Sequence, residues 1–248
     1  MKIMRERETE ILKILIAEKK VTVKELAVRL YSSEPSVRRS LAELERQGYL
    51  RRTHGGAVFT ADSAGSKIPF ALREYENLRE KEIMAEEAAK LLSDNSLIML
   101  DGSSSSLKLV PYIAGKRNVR VLTNGLSALV ELDRFGVPAI STGGSLIPTL
   151  RTLSGQDALN TISCYNADIA FFSCRGLTET GEATDISVEE DVVRRAMMLR
   201  AKKRVLLCAH EKIGKTYYHR LCSADELTAI ISDRPLPSSV AELTGSPN

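Results

Sequence analysis

The chain has 248 residues, 43% of them apolar and 27% charged, the mix of a globular protein with a real core in one large domain or two modest ones. None of its apolar runs, Ile14–Ala17 and Leu97–Leu100 among them, approaches the length of a bilayer span. The opening Met-Lys-Ile-Met-Arg-Glu-Arg-Glu also has no secretory apolar region, so a cytoplasmic chain with no membrane partner is expected. Cys164, Cys174, Cys208 and Cys222 form no C-x-x-C pair, and His54, His210 and His219 make no metal-spaced set, so neither a metal nor a cofactor is expected. The net charge of +3 is unevenly spread: residues 1–57 hold 13 Lys and Arg against 8 Asp and Glu, and the rest holds 22 against 24. The surplus lies wholly in the first quarter, as expected if that quarter alone meets a polyanion.

Along the chain, Arg5–Glu18 carries Ile11, Leu12, Leu15 and Ile16 at amphipathic helical spacing. Thr22 and Glu25 have capping-box spacing, and Val21 with Leu26 fits the hydrophobic staple, so a second, short helix starts at Thr22. Ser33 as N-cap, Pro35 in the first turn and the stripe Val37, Leu41, Leu44 predict a third helix, ended by Gly48. Tyr49–Arg52 and His54–Val58 then read as a small glycine-turned hairpin. Together these elements describe a winged helix-turn-helix over residues 1–59. Thr60–Pro69 is small, polar and broken by Gly and Pro, and is the expected linker.

The third helix reads as the DNA reader. At 100° per residue, Leu41 and Leu44 point within about 40° of Val37, whereas Arg39 points about 200° away, outward with Ser36. An outward Arg and Ser near a helix N-terminus suit the major groove, and Arg51, Arg52 and His54 on the hairpin suit phosphates or the minor groove. Thr22, Ser33, Ser36, Arg38, Arg39, Arg51, Arg52 and His54 are the candidate contacts to double-stranded DNA. One short helix reads few base pairs, so a homodimer or higher oligomer is expected.

The second part, residues 70–235, opens with a helical stretch over 73–92. Apolar runs at 97–100, 119–122, 138–140, 169–172, 205–208 and 229–231 then alternate with helical segments, which predicts an α/β fold with a largely parallel sheet. The tail 236–248 is Ser/Pro-rich and expected to fray. Five strand ends are rich in hydroxyls, Gly or cations, where open parallel sheets bind ligands. The candidate contacts there are Asp101, Gly102, Ser103, Ser104, Ser105, Asn124, Gly143, Gly144 and Lys212. The serines precede a helical pattern at Leu107 and suit an anion, as does Lys212, whereas Asp101 can accept sugar hydroxyls.

Three segments carry a resemblance: Val-Thr-Val-Lys-Glu-Leu-Ala-Val-Arg-Leu (21–30), Ser-Glu-Pro-Ser-Val-Arg-Arg-Ser-Leu-Ala-Glu-Leu-Glu-Arg-Gln-Gly (33–48) and Arg-Arg-Thr-His-Gly-Gly-Ala-Val (51–58). With Glu80-Lys81, Asp101-Gly-Ser-Ser-Ser-Ser, Thr123-Asn124-Gly125, Thr142-Gly143-Gly144 and Ile231-Ser-Asp233, the chain resembles DeoR-type bacterial transcription regulators over about nine-tenths of its length. The resemblance implies a repressor of carbohydrate metabolism. It implies a sensor and oligomerisation domain related to ribose-5-phosphate isomerase, and a phosphorylated sugar as effector. Two positions depart from the family pattern. Ser40 stands where the family's Arg-Arg-Asp has its Asp, on the core-side flank of the helix. Ala209 stands where the family tends to place a carboxylate before the Lys212 motif, which leaves the identity of the sugar open.

The alternative is an isomerase-type enzyme with an added basic domain, for which Asp101, Glu190 and Lys212 are conceivable players. An RNA-binding module is a weaker third reading, because five Phe, seven Tyr and no Trp give no visible stacking platform.

Overall fold

The computed structural model describes residues 6–46, 49–59 and 70–243. The chain divides into two compact units, residues 1–76 and 77–248.

In the first unit, α1 (Glu6–Glu18) is followed by the short strand β1 (Lys20–Thr22) and then α2 (Val23–Arg29). The capping box is present: Thr22 Oγ1 accepts the Glu25 N–H at 3.2 Å, and Glu25 Oε2 accepts the Thr22 N–H at 2.8 Å. The second helix therefore starts as expected, with Val21 and Leu26 both buried beside it. In α3 (Glu34–Arg46) the carbonyl of Ser33 accepts the first helical N–H groups, and Val37, Leu41 and Leu44 are buried. The hairpin β2 (Leu50–Thr53) and β3 (Gly56–Phe59) pairs with β1 in the order β1-β3-β2, completing a winged helix-turn-helix. Helix α4 (Phe70–Arg73) belongs to this unit, because Leu72 lies in its core and Tyr75 packs on it. The expected continuous helix over 73–92 is therefore two helices, parted by residues 74–77, with Asn77 at φ +49°. Gly48 and the expected linker 60–69 lie outside the described residues.

The second unit begins with α5 (Leu78–Ala89), β4 (Leu97–Leu100), α6 (Ser104–Leu107), α7 (Val110–Ala114), β5 (Arg120–Thr123), α8 (Leu126–Arg134) and β6 (Ala139–Ser141). It continues through the hairpin β7 (Ser145–Ile147) and β8 (Thr152–Ser154), α9 (Gln156–Ser163), β9 (Ala167–Ser173), β10 (Gly176–Leu177), β11 (Glu182–Asp185) and α10 (Val188–Leu199). It ends with β12 (Ala201–Leu207), β13 (His219–Ser223), β14 (Ala229–Ile231) and α11 (Ser238–Ala241). All six expected apolar runs are strands of one parallel sheet, ordered β14-β12-β9-β4-β5-β6. The chain starts in the middle at β4, builds to one edge at β6, returns to β9 and builds to the other edge. Strand order thus reverses between β4 and β9, and in sheets of this kind the crevice beyond the carboxyl ends at that reversal is where ligands sit.

A separate antiparallel sheet, β10-β11-β13, had no counterpart among the expected elements. The tail is also more ordered than expected up to residue 243: α11 buries Val240 completely in the core cluster that holds Phe172 and Leu206. No helix among the described residues is long and apolar enough to cross a membrane.

Candidate functional site

On α3, Arg39 is exposed and makes no hydrogen bond or ion pair with any described residue. Arg38 beside it pairs with Glu34 at 3.2 Å, one helical turn back. The Ser36 hydroxyl accepts a hydrogen bond from Arg7 Nη1 at 2.5 Å, which ties the start of α1 to the reading helix. On the hairpin, Arg51 and His54 are exposed without a described partner, whereas Arg52 is held by Glu45 of α3. Thr22 spends its hydroxyl on the capping box, and Ser33 stays exposed at the helix start. The eight expected contacts therefore divide: Arg39, Arg51, His54 and Ser33 have unspent side chains, and the others are wholly or partly engaged. Ser40 is buried, as its position on the core-side flank requires.

The carboxyl ends of β4 and β9 carry the second cluster. Asp101, 1% exposed, follows β4, and its Oδ1 accepts the Ser106 hydroxyl at 2.6 Å and the Ser103 N–H at 3.2 Å. Its Oδ2 accepts the Ser173 N–H at 3.2 Å, across the strand reversal, and Arg194 Nε at 2.9 Å. Four donors fill the capacity of one carboxylate. Asp101 therefore organises the loop in place of the expected role of facing sugar hydroxyls. Ser103 is equally internal: it caps α6, which begins at Ser104 rather than at Leu107. Ser104 and Ser105 are buried residues whose hydroxyls bond to no described residue.

Neighbouring loops close around this turn. A Cβ at Gly102 would lie 2.2 Å from Thr152 Cγ2, and one at Gly125 would lie 2.9 Å from the Gly102 Cα. Gly102 thus makes room for the Thr152 methyl and for the backbone of Gly125. Asn124 donates to the Leu153 carbonyl at 3.0 Å, but its buried Oδ1 has no partner among the described residues, nor has the buried Oγ1 of Thr152. Gly144 sits at φ +98°, and a Cβ there would strike the Ser154 carbonyl at 2.5 Å, so the turn after β6 requires glycine. Lys212 is half-buried and donates to the Ser173 hydroxyl at 3.1 Å and the Cys174 carbonyl at 2.7 Å, leaving one of its three N–H groups unspent.

Beneath these loops lies a cluster that the sequence reading did not assemble. Arg194 of α10, 3% exposed at its side chain, reaches Asp101 at 2.9 Å, Asp185 at 2.8 Å, Asp191 at 2.9 Å and Glu190 at 3.7 Å. Burial works against the charge on Arg194, but Glu190, Asp185, Asp101 and Asp191 outweigh it and raise its pKa well above the ordinary value. Burial pushes the Asp191 carboxyl up further than Arg194 and His219, 2.6 Å away, pull it down. Burial also pushes on Asp185, but there Arg194, the Ile186 N–H, Arg175 and Lys212 win and hold the carboxyl below its usual range. Asp101 and Glu190, the carboxylates considered for an isomerase, are both committed to this arginine. The signal for the cluster was Glu190 and Asp191, four and three residues before Arg194, on the same helix face as the apolar Val193 and Met197. Arg175, half-buried with its guanidinium 5.8 Å from the Tyr217 ring, is a further cation at the rim that was not singled out. Among the described residues no group of His, Cys, Asp or Glu is arranged to hold a metal ion.

Comparison with known proteins agrees with both halves. The DeoR-like helix-turn-helix domain matches residues 7–62, and the DeoR C terminal sensor domain matches residues 76–234. The HTH-type transcriptional regulator GolR of Listeria innocua is 34% identical over 93% of this chain and 91% of its own. The L-fucose operon activator of Haemophilus influenzae is 30% identical over 96% of this chain and 95% of its own. Ribose 5-phosphate isomerase A from Methanocaldococcus jannaschii superposes with a TM-score of 0.42 at 17% identity, over 54% of this chain and 53% of that one. The chain belongs to the DeoR family of helix-turn-helix transcriptional regulators.

Proposed function

We propose that the operator affinity of this regulator is set by a phosphorylated sugar bound beyond the carboxyl ends of β4, β5, β6 and β12. The observation that carries the reading is the pair of buried, unpartnered oxygens Asn124 Oδ1 and Thr152 Oγ1. Leaving a buried acceptor unsatisfied costs about 1–3 kcal/mol, and sugar hydroxyls are donors of the right kind. The unspent hydroxyls of Ser104 and Ser105 and the free N–H of Lys212 supply donors for a phosphate, with Arg175 adding charge at the rim. Gly143 and Gly144 shape the turn after β6, where the Gly143 N–H is already given to the Ser141 hydroxyl at 3.1 Å. Asp101 is assigned to scaffolding, so the anionic end of the ligand meets no unpaired carboxylate from it. A relative named for an L-fucose operon is in keeping with a sugar-derived ligand. On the DNA side, Arg39 reads bases and Arg51 and His54 hold phosphate, in a homodimer or larger oligomer that brings two readers to one operator.

The test is a thermal-shift panel of sugar phosphates on wild type and Lys212→Ala. A phosphorylated sugar should raise the wild-type melting temperature while its unphosphorylated form does not, and Lys212→Ala should lose the shift. A panel with no phosphate-dependent shift overturns the reading.

A further inference from the structure

Two cysteines lie one residue below the rim of this site. Cys174 follows β9 and Cys208 follows β12, and the parallel register pairs Ser173 with Leu207, so the two stand next in line on adjacent strands. Both are buried in the same core cluster, and their Sγ atoms are 4.0 Å apart. Neighbouring strands are spaced about 4.7–4.9 Å, inside the range of about 4.4–6.8 Å that disulfide-bonded Cα atoms span. Closing the sulfurs to about 2.0 Å calls for side-chain rotation and a small shift of the strand ends, not a change of fold.

We propose that Cys174 and Cys208 are a peroxide-oxidisable pair whose disulfide resets the anchor of Lys212. The two thiols are unequal. The hydrogen bond from Cys174 lowers the pKa of Cys208, and Lys212 also favours its thiolate, whereas that bond and burial push Cys174 well up. Of the two, Cys208 is therefore the one that ionises more readily and attacks first, and Cys174 is the thiol that resolves it. The Cys208 sulfur attacks one oxygen of a hydroperoxide; the O–O bond breaks, leaving a sulfenic acid on Cys208 and releasing hydroxide or alkoxide. The Cys174 sulfur then attacks the Cys208 sulfur, the S–O bond breaks, and the hydroxyl leaves with the Cys174 proton as water. Both sulfurs are oxidised and the peroxide takes the two electrons. Because Lys212 donates to the carbonyl of Cys174 itself, drawing Cys174 towards β12 moves the acceptor that holds the ammonium. This inference does not depend on which ligand the site binds.

The experiment uses the full-length Cys164→Ser protein, which lacks the exposed cysteine and so the easy route to intermolecular crosslinks. It is treated with hydrogen peroxide, alkylated after denaturation and mapped without reduction. The expected result is loss of two alkylatable thiols, one crosslinked peptide pair carrying Cys174 and Cys208, and full reversal by dithiothreitol. Amine labelling of Lys212 in the native protein should rise severalfold on oxidation. With Cys174→Ala added, dimedone should trap a sulfenic acid on Cys208. Persistence of both free thiols, or a crosslink through Cys222, overturns the pairing; a crosslink without altered Lys212 labelling overturns the coupling to the site.

Discussion

Arg52 gives both its backbone N–H and its Nε–H to the carboxylate of Glu45, each at 2.7 Å, so the wing is fastened to the reading helix through a residue expected on DNA. Its neighbour Arg51 has no such partner among the described residues. The two arginines should therefore behave differently on any duplex. Arg51→Ala is expected to weaken specific and random DNA alike and to reduce the salt slope of binding by about 1. Arg52→Ala should leave that slope unchanged and lower affinity by loosening the wing. Fluorescence anisotropy over a salt series separates the two, and equal loss of slope in both variants would refute the distinction.

The same contact is sensitive to acid. The Arg52 N–H, and then its guanidinium, hold the Glu45 carboxyl below its ordinary value. A depressed carboxylate contributes stability above its unfolded pKa and loses it as pH falls through its folded one, so the fastening should survive below about pH 4.3 before it is lost. The amide resonance of Arg52 followed by NMR should titrate with a midpoint below that value. A midpoint at or above it would show that the bond is not maintained in solution.

Arg39 is exposed, with no partner among the described residues. Arg39→Ala should cost about 1–3 kcal/mol of affinity for the operator and much less for random duplex. Equal losses on the two duplexes would remove Arg39 from base reading.

Gly102 and Thr152 offer a test of the site's packing. Gly102→Ala places a Cβ 2.2 Å from Thr152 Cγ2 and should cost about 1–3 kcal/mol in urea unfolding. Thr152→Ser removes that methyl and keeps the hydroxyl, so the double variant should recover most of the loss. No recovery would locate the strain elsewhere.

How far the sequence revealed this molecule depends on the range of each signal. The capping box at Thr22 and the stripe Val37, Leu41, Leu44 are complete within one helix, and all six strands of the parallel sheet announced themselves as apolar runs. Strand β1 was not visible, because three residues carry no periodicity and its partner β3 lies beyond two helices. The helix expected over 73–92 breaks before Asn77, where a left-handed residue interrupts a stretch of good helix formers. The loops of the candidate site were legible as strand ends, but their roles were not. Asp101 meets Arg194 across 93 positions of sequence, and only the strand reversal between β4 and β9 brings them together. A carboxylate that local sequence leaves free for a ligand is thereby filled from a distant helix.

The most direct test of the account is operator binding by wild type and Lys212→Ala, each titrated with the sugar phosphate that gives the largest thermal shift. A ligand alters DNA affinity only through unequal binding to the two states of the protein. The ligand should change wild-type operator affinity by about 5–150-fold. In Lys212→Ala no change is expected, and its ligand-free operator affinity should equal that of wild type. Equal shifts in both proteins, or a shift in neither, would contradict it.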